Sequence, residues 1–132
     1  MTNIKSKERQ INYSTETVFN FLSDFNNFKD LMPDKVTDWE STSDTCYFSI
    51  SGIASLGMRI VEKEPTLRIK MVDEGKVPFK FDFLVDIQVS GEASVVNLTF
   101  DAELNPMLKL VAVTPLKNFL EELLDHLEQI KL

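Results

Sequence analysis

The sequence predicts an α+β domain in which a curled antiparallel sheet of seven strands wraps around one long C-terminal helix. Apolar residues alternate with polar ones through most of the chain between residues 36 and 104, a pattern typical of half-buried β-strands. A short helical stripe precedes this region, and a much longer one follows it. Because residues 1–132 contain no repeat and no low-complexity linker, we expect a single domain.

The composition is that of a globular protein and disfavours several partners. Hydrophobic residues make up 43% of the chain, with 10 Phe and 5 Met, and the net charge is −7. An acidic surface repels nucleic-acid phosphates, so we expect no nucleic-acid partner. No apolar run approaches the roughly 18 residues of a membrane span, and we expect no stable membrane insertion. The polar N-terminus lacks a secretory signal, which makes the cytoplasm the expected location.

The first predicted element is a strand over Asn3–Tyr13. Its two isoleucines, Ile4 and Ile11, are an odd number of residues apart. A regular strand would therefore place them on opposite faces of the sheet. An edge position or a bulge would reconcile this spacing with burial of both residues.

Two short helices are predicted next. Ser14 has the character of an N-cap, and the apolar residues that follow recur at i, i+3, i+4 and i+7, as on one face of a helix. These residues are Val18, Phe21, Leu22 and Phe25. A second helix over residues 26–31 is predicted to be capped by Asp24 and to end before Pro33, because proline pushes its predecessor out of the α region.

The chain after Pro33 switches to a period of two, which predicts six consecutive strands. The clearest is Phe79–Val89, where apolar residues mostly alternate with Lys, Asp and Gln. Such strands have one apolar and one wet face, and the short turns between them indicate an antiparallel meander. The six predicted strands cover residues 36–41, 45–51, 57–64, 67–73, 79–89 and 96–104.

The last segment is predicted to be a helix from Pro106 to Lys131, roughly 40 Å long at about 1.5 Å per residue. Asn105 is its candidate N-cap, and proline fits the first helical position because its missing N–H would be unpaired there anyway. Pro115 lies inside the helix, where we expect it to kink or break the helix.

The widths of these elements predict a cavity. One helix covers a strip about 10 Å wide, whereas the sheet spans roughly 30 Å at the usual interstrand spacing. The sheet must therefore curl around the helix. The space between them is either filled by side chains or left as an apolar pocket.

The opening of the chain carries a resemblance to a known superfamily. The run Tyr13–Pro33, with Val18, Phe19, Leu22 and Asp24 in the pattern VFxxLxD, resembles the opening of the SRPBCC superfamily. That group includes START lipid-transfer domains, polyketide cyclases, coenzyme-Q-binding proteins and the birch-pollen allergen family. The chain is similar in particular to small bacterial members, over essentially its whole length. The resemblance implies a helix-grip fold with an internal cavity, and it names neither a ligand nor an activity.

The resemblance and the geometry together predict which residues line the cavity. These are inward apolar residues of the strands and of the last helix: Phe48, Ile60, Met71, Phe81, Phe83, Phe100, Leu116, Phe119 and Leu120. Three polar groups are candidates for orienting a ligand there. Trp39 offers an indole N–H and Tyr47 a phenol, while Glu62 shares parity with Ile60.

Nothing in the sequence predicts a metal, a cofactor or a catalytic set. One Cys and one His cannot form a tetrahedral site of the usual His/Cys type, and no Gly-x-Ser-x-Gly elbow is present. Cys46 lies in an apolar strand pattern, as a buried inert thiol would. His126 lies at the border of the helical stripe, where a structural role is expected.

Three functions are compatible with these patterns. The leading hypothesis is binding or transport of an apolar, lipid-like small molecule in the internal cavity. The first alternative is a polyketide cyclase- or dehydratase-like enzyme using Glu62, Asp38 or a tyrosine as its acid–base group. The second is a protein-interaction module, such as a homodimer formed through a sheet edge or the surface near residues 31–36.

Overall fold

The computed structural model describes the whole chain, Met1–Leu132, as one antiparallel sheet, two α-helices and a 3₁₀ helix. The elements in chain order are β1 (Thr2–Lys5), β2 (Arg9–Ile11), α1 (Thr15–Leu22), a 3₁₀ helix (Phe25–Leu31), β3 (Val36–Ser41), β4 (Thr45–Ile50), β5 (Ala54–Glu64), β6 (Arg68–Asp73), β7 (Phe81–Ser90), β8 (Ala93–Ala102) and α2 (Pro106–Gln129). The helix-grip architecture predicted from the sequence is confirmed. The main boundary differences are that β5 begins at Ala54 instead of Gly57 and β8 at Ala93 instead of Val96.

The sheet runs in the order β1-β8-β7-β6-β5-β4-β3, and β2 also pairs with β8. The predicted first strand is therefore one edge strand divided in two. Ile4 lies opposite Phe100 and Ile11 opposite Ser94, so seven residue steps on this strand match six on β8. The extra residue is the predicted bulge, and it turns both isoleucines into the core.

The helices begin where their capping residues predict. The Ser14 hydroxyl accepts a hydrogen bond from the Thr17 N–H at 3.2 Å, and the Asp24 carboxylate accepts one from the Asn26 N–H. Asn105 caps α2 in the same way. Each cap satisfies a backbone donor that the first helical turn leaves unpaired.

Helix α2 is continuous through Pro115, so the predicted break does not occur. Proline has no N–H to donate to the Val111 carbonyl four residues earlier, and this hydrogen bond is missing from the helix. The part of α2 before Ala112 also contributes no buried residue, and Met107 and Leu110 are 76% and 88% exposed. The first turns of α2 are thus held less firmly than the rest.

An ion cluster fixes the other half of α2 to the edge of the sheet. The Arg9 guanidinium lies 2.6 Å from the Asp125 carboxylate, 3.1 Å from Glu128 and 3.7 Å from Glu121. The hydrogen bond that Arg9 donates to the Asp125 carboxylate is the main reason that the pKa of Arg9 is raised. The arginine therefore stays charged and ties β2 to the last turns of α2.

Candidate functional site

The inner face of the sheet and the facing side of α2 bring the predicted lining residues together. All of them except Ile60, which is half-buried, belong to one buried hydrophobic cluster. Phe48 of β4 stacks against Phe119 of α2 with ring centroids 6.1 Å apart, and Phe81 stacks on Phe100 at 4.7 Å. The Phe48–Phe119 contact joins the sheet to the helix directly, and the Phe81–Phe100 contact packs two neighbouring strands on the inner face of the sheet.

This interior is close-packed. The apolar void between the layers has a volume of about 10 Å³, and hydrophobic side chains of α1, the 3₁₀ helix, β7, β8 and α2 line it. Of the predicted lining residues only Phe83 borders it. A volume of this size accommodates at most one water molecule. The room for a guest that the sequence predicts is therefore not open in this structure.

Two of the three predicted polar groups lie outside the interior. One extra residue in β5 shifts the register between Ile60, opposite Met71, and Glu62, opposite Lys70. Parity counted along the sequence fails beyond such a bulge, and Glu62 is exposed. Tyr47 is 44% exposed, because it lies on the outer face of the sheet together with its cross-strand partner Gly57.

Trp39 is the one predicted polar group on the inner side. A bulge in β3 places Asp38 and Trp39 together between the pairs Thr37–Ser49 and Glu40–Tyr47. The Trp39 ring packs against Phe48 at 5.4 Å, while Asp38 is exposed. The Trp39 indole Nε1 is buried and has no hydrogen-bond partner.

The acid–base groups that the cyclase-like alternative requires are not in the interior. Glu62, Asp38 and Tyr47 are exposed, and the Tyr13 hydroxyl hydrogen-bonds to the Ile130 carbonyl at the end of α2. The buried polar residues are Ser94 and Thr99. The Ser94 hydroxyl donates to a backbone carbonyl, so it serves the fold.

Cys46 and His126 take the structural roles expected of them. Cys46 is fully buried in β4, and the loss of hydration on burial raises the pKa of its thiol to about 12. A thiol of this kind is a poor nucleophile at neutral pH. The His126 Nδ1 lies 2.7 Å from the Leu31 carbonyl oxygen, so the ring links α2 to the 3₁₀ helix.

The protein-interaction alternative includes the surface near residues 31–36. Leu31 is 2% exposed, which leaves little apolar surface at the start of the segment 31–36.

No cluster of three or more His, Cys, Asp or Glu side chains is arranged to hold a metal ion. Neither helix combines the length and apolarity needed to span a membrane.

Comparison with known proteins identifies the fold. The sequence matches no protein-family model and no curated protein. The structure is similar to a START superfamily protein from Mycobacterium smegmatis, with a TM-score of 0.71, 16% identity and coverage of 98% of this chain and 99% of that one. It is also similar to protein XoxI from Bacillus cereus, with a TM-score of 0.77, 14% identity and coverage of 98% and 94%. It is similar as well to a conserved protein from Geobacillus kaustophilus, with a TM-score of 0.71, 14% identity and coverage of 97% of this chain and 93% of that one. The resemblance carried by the opening motif is thus confirmed at the level of the fold.

Proposed function

We propose that this protein, with its START-like fold, binds an apolar, lipid-like small molecule between the sheet and α2. The ligand would replace the present contacts between the inner face and the helix, because the existing void is too small for it. The observation that carries the proposal is the buried Trp39 indole N–H without a partner.

An unpaired polar group inside a protein needs an explanation, because most such groups are hydrogen-bonded. The only other buried side-chain atom without a hydrogen bond is Glu121 Oε1. That oxygen lies 3.7 Å from the Arg9 guanidinium, which compensates its charge. Trp39 has no such compensation. A hydroxyl or carbonyl oxygen on an otherwise apolar ligand would accept a hydrogen bond from the Trp39 N–H and offset a desolvation cost of about 1–3 kcal/mol.

The chemistry of the surrounding wall matches this ligand class. Phe48 packs against Trp39, and Phe119 stacks on the Phe48 ring, so both offer aromatic faces in this wall. Binding sites for small molecules are mostly apolar, with a few polar groups that set orientation. One indole N–H in an apolar wall corresponds to a ligand with a single polar end.

The first turns of α2 supply the route by which the ligand would enter. Residues 106–111 contribute no buried side chain, and Pro115 removes a backbone hydrogen bond at Val111. Segments with few buried contacts open at the lowest free-energy cost. We therefore place the opening at the N-terminal end of α2, since Arg9 holds the other end on β2.

A matched pair of ligands tests the proposal. Binding of 1-naphthol, which has an oxygen, and of naphthalene, which has none, is measured by thermal shift, since a ligand that binds the folded state raises Tm. The variant Trp39→Phe keeps an aromatic ring against Phe48 and lacks the N–H. We expect it to weaken 1-naphthol binding roughly threefold to tenfold and to leave naphthalene binding unchanged.

Native mass spectrometry of the protein as purified provides an independent test. A copurifying small molecule that organic solvent extracts would support the proposal. If no small molecule copurifies and neither naphthalene nor 1-naphthol shifts the Tm at millimolar concentration, the interior is a core only and the proposal fails.

A further inference from the structure

We infer that the outer face of the sheet carries a second, separate binding site, a groove that accepts a small zwitterion such as an amino acid or a betaine. The groove has a volume of about 230 Å³ and lies over β3, β4 and β5, beneath the loop that follows β6. Asp38, Tyr47 and Lys76 line it. Phe48 also borders it, but the groove shares no polar group with the interior and does not depend on the function proposed above.

The bulge in β3 places the acidic group of this groove. Asp38 lies on the outer side of the bulge. The φ of Asp38 is +57°, which lies in the left-handed region. A residue other than glycine in this region is uncommon, and such strained positions cluster at binding and active sites. One bulge thus sends Trp39 inward and Asp38 outward.

The aromatic group is fixed by the absence of a side chain at Gly57. A Cβ atom at this position would come within 2.8 Å of two Tyr47 ring carbons and 2.4 Å of the Glu74 carbonyl oxygen. The Tyr47 ring therefore occupies the space that the Cβ atom of any other residue at position 57 would fill. Because Tyr47 is 44% exposed, part of its side chain remains available to a ligand. A tyrosine ring attracts the cationic group of a ligand that lies over it.

The basic group is carried by an anchored loop. The Glu74 N–H donates a hydrogen bond to the Gly57 carbonyl at 2.8 Å, and the Glu74 carboxylate accepts one from Arg59 at 2.6 Å. That hydrogen bond lowers the pKa of Glu74. Gly75, at φ +71°, then turns the chain towards Lys76.

Asp38 and Lys76 have opposite charges, and neither is in an ion pair, although seven ion-pair contacts form elsewhere. A ligand with an ammonium and a carboxylate group matches both: the ammonium would lie between Asp38 and the Tyr47 ring, and the carboxylate at Lys76. On the floor, the Ser49 and Ser55 hydroxyls hydrogen-bond to each other at 2.8 Å. The volume limits the ligand to about the size of one amino acid.

The test uses amide chemical-shift titration of the intact protein with L-phenylalanine and glycine betaine. Propionate, propylammonium and glucose serve as comparators with only an anion, only a cation and no charge. We expect the two zwitterions to bind most tightly and to shift the amides of residues 38, 47, 49, 55, 57 and 76. Shifts confined to other residues, no binding at 20 mM, or glucose binding as tightly as the zwitterions would overturn the inference.

Charge-neutralising variants make the test specific. Asp38→Asn tolerates the left-handed conformation, and with Lys76→Gln it removes one charge of the groove at a time. Each should weaken zwitterion binding about tenfold. Lys80→Gln is the matched control, because Lys80 is an exposed lysine that does not line the groove. Equal affinity in all three variants would refute the assignment.

Discussion

Replacing Gly57 with alanine should destabilise the protein, although alanine is the better residue for an ordinary strand. In most strands the loss of a glycine lowers the conformational entropy of the unfolded chain and stabilises the fold by about 0.5–1 kcal/mol. Gly57 differs because an added Cβ would lie 2.4 Å from the Glu74 carbonyl oxygen and 2.8 Å from the Tyr47 ring. Both distances are far shorter than a normal contact.

The cost follows from which neighbour can move. The Tyr47 ring is partly exposed and can rotate, whereas the Glu74 backbone is held by its hydrogen bond to the Gly57 carbonyl. Overpacking costs about 1–3 kcal/mol, and loss of that hydrogen bond adds about 0.5–1.5 kcal/mol. After subtraction of the entropic gain, the free energy of unfolding should fall by about 2 kcal/mol. The corresponding decrease in Tm is roughly 8 °C for a chain of this length.

Urea unfolding followed by the fluorescence of Trp39, the single tryptophan, measures the change. The same substitution in a Tyr47→Ala background separates the two contacts. Because the backbone contact dominates, most of the loss should remain without the ring. Gly52→Ala is the control, since a Cβ at Gly52 meets nothing within 4 Å and only its φ of +83° is unfavourable. A Gly57→Ala variant as stable as the wild type would refute the reasoning.

Three further predictions concern other parts of the molecule. Pro115→Ala restores an N–H for the Val111 carbonyl and should stabilise the protein by about 1–3 kcal/mol, with slower hydrogen exchange over residues 106–114; unchanged exchange there would contradict the account of α2. Cys46, whose pKa is raised to about 12 by burial, should not react with a disulfide reagent at pH 8 until urea unfolds the chain, and rapid reaction of the folded protein would count against its burial. Arg59→Gln should raise the pKa of Glu74 towards its ordinary value, as NMR titration can measure. Because that pKa is lowered in the folded state, the Arg59 interaction stabilises the fold above the unfolded pKa of the carboxyl, and this contribution is lost as the pH falls through the folded value; an unchanged Glu74 titration would show that the pair does not persist in solution.

The sequence was sufficient for the architecture because its strongest signals are local. The alternation along Phe79–Val89 and the caps at Ser14 and Asn105 each depend on residues a few positions apart. The placement of polar groups was less predictable. A single extra residue in a strand moves every later side chain to the opposite face of the sheet. Neither the bulge before Glu62 nor the bulge at Asp38 contains a distinctive residue such as glycine that would mark it in the sequence.

The groove and the interior packing depend on contacts between distant segments. Lys76 reaches the groove only because the loop after β6 is anchored on Gly57, which no spacing in the sequence indicates. The volume between sheet and helix depends on how the inner side chains interdigitate. The widths of the helix and the sheet predict that the sheet curls. They do not predict how completely side chains such as Phe48 and Phe119 fill the space between the two layers.

The pairing of the first strand with the last has a consequence for biosynthesis. Thr2 lies opposite Ala102, and β8 is the only strand with which β1 and β2 pair. During translation the N-terminal strand therefore has no partner until nearly the whole sheet has left the ribosome. Partners so distant in the chain close slowly, and the unpaired edge is exposed to aggregation in the meantime. Nascent chains stalled before β8 should therefore depend on chaperones far more than chains released after α2.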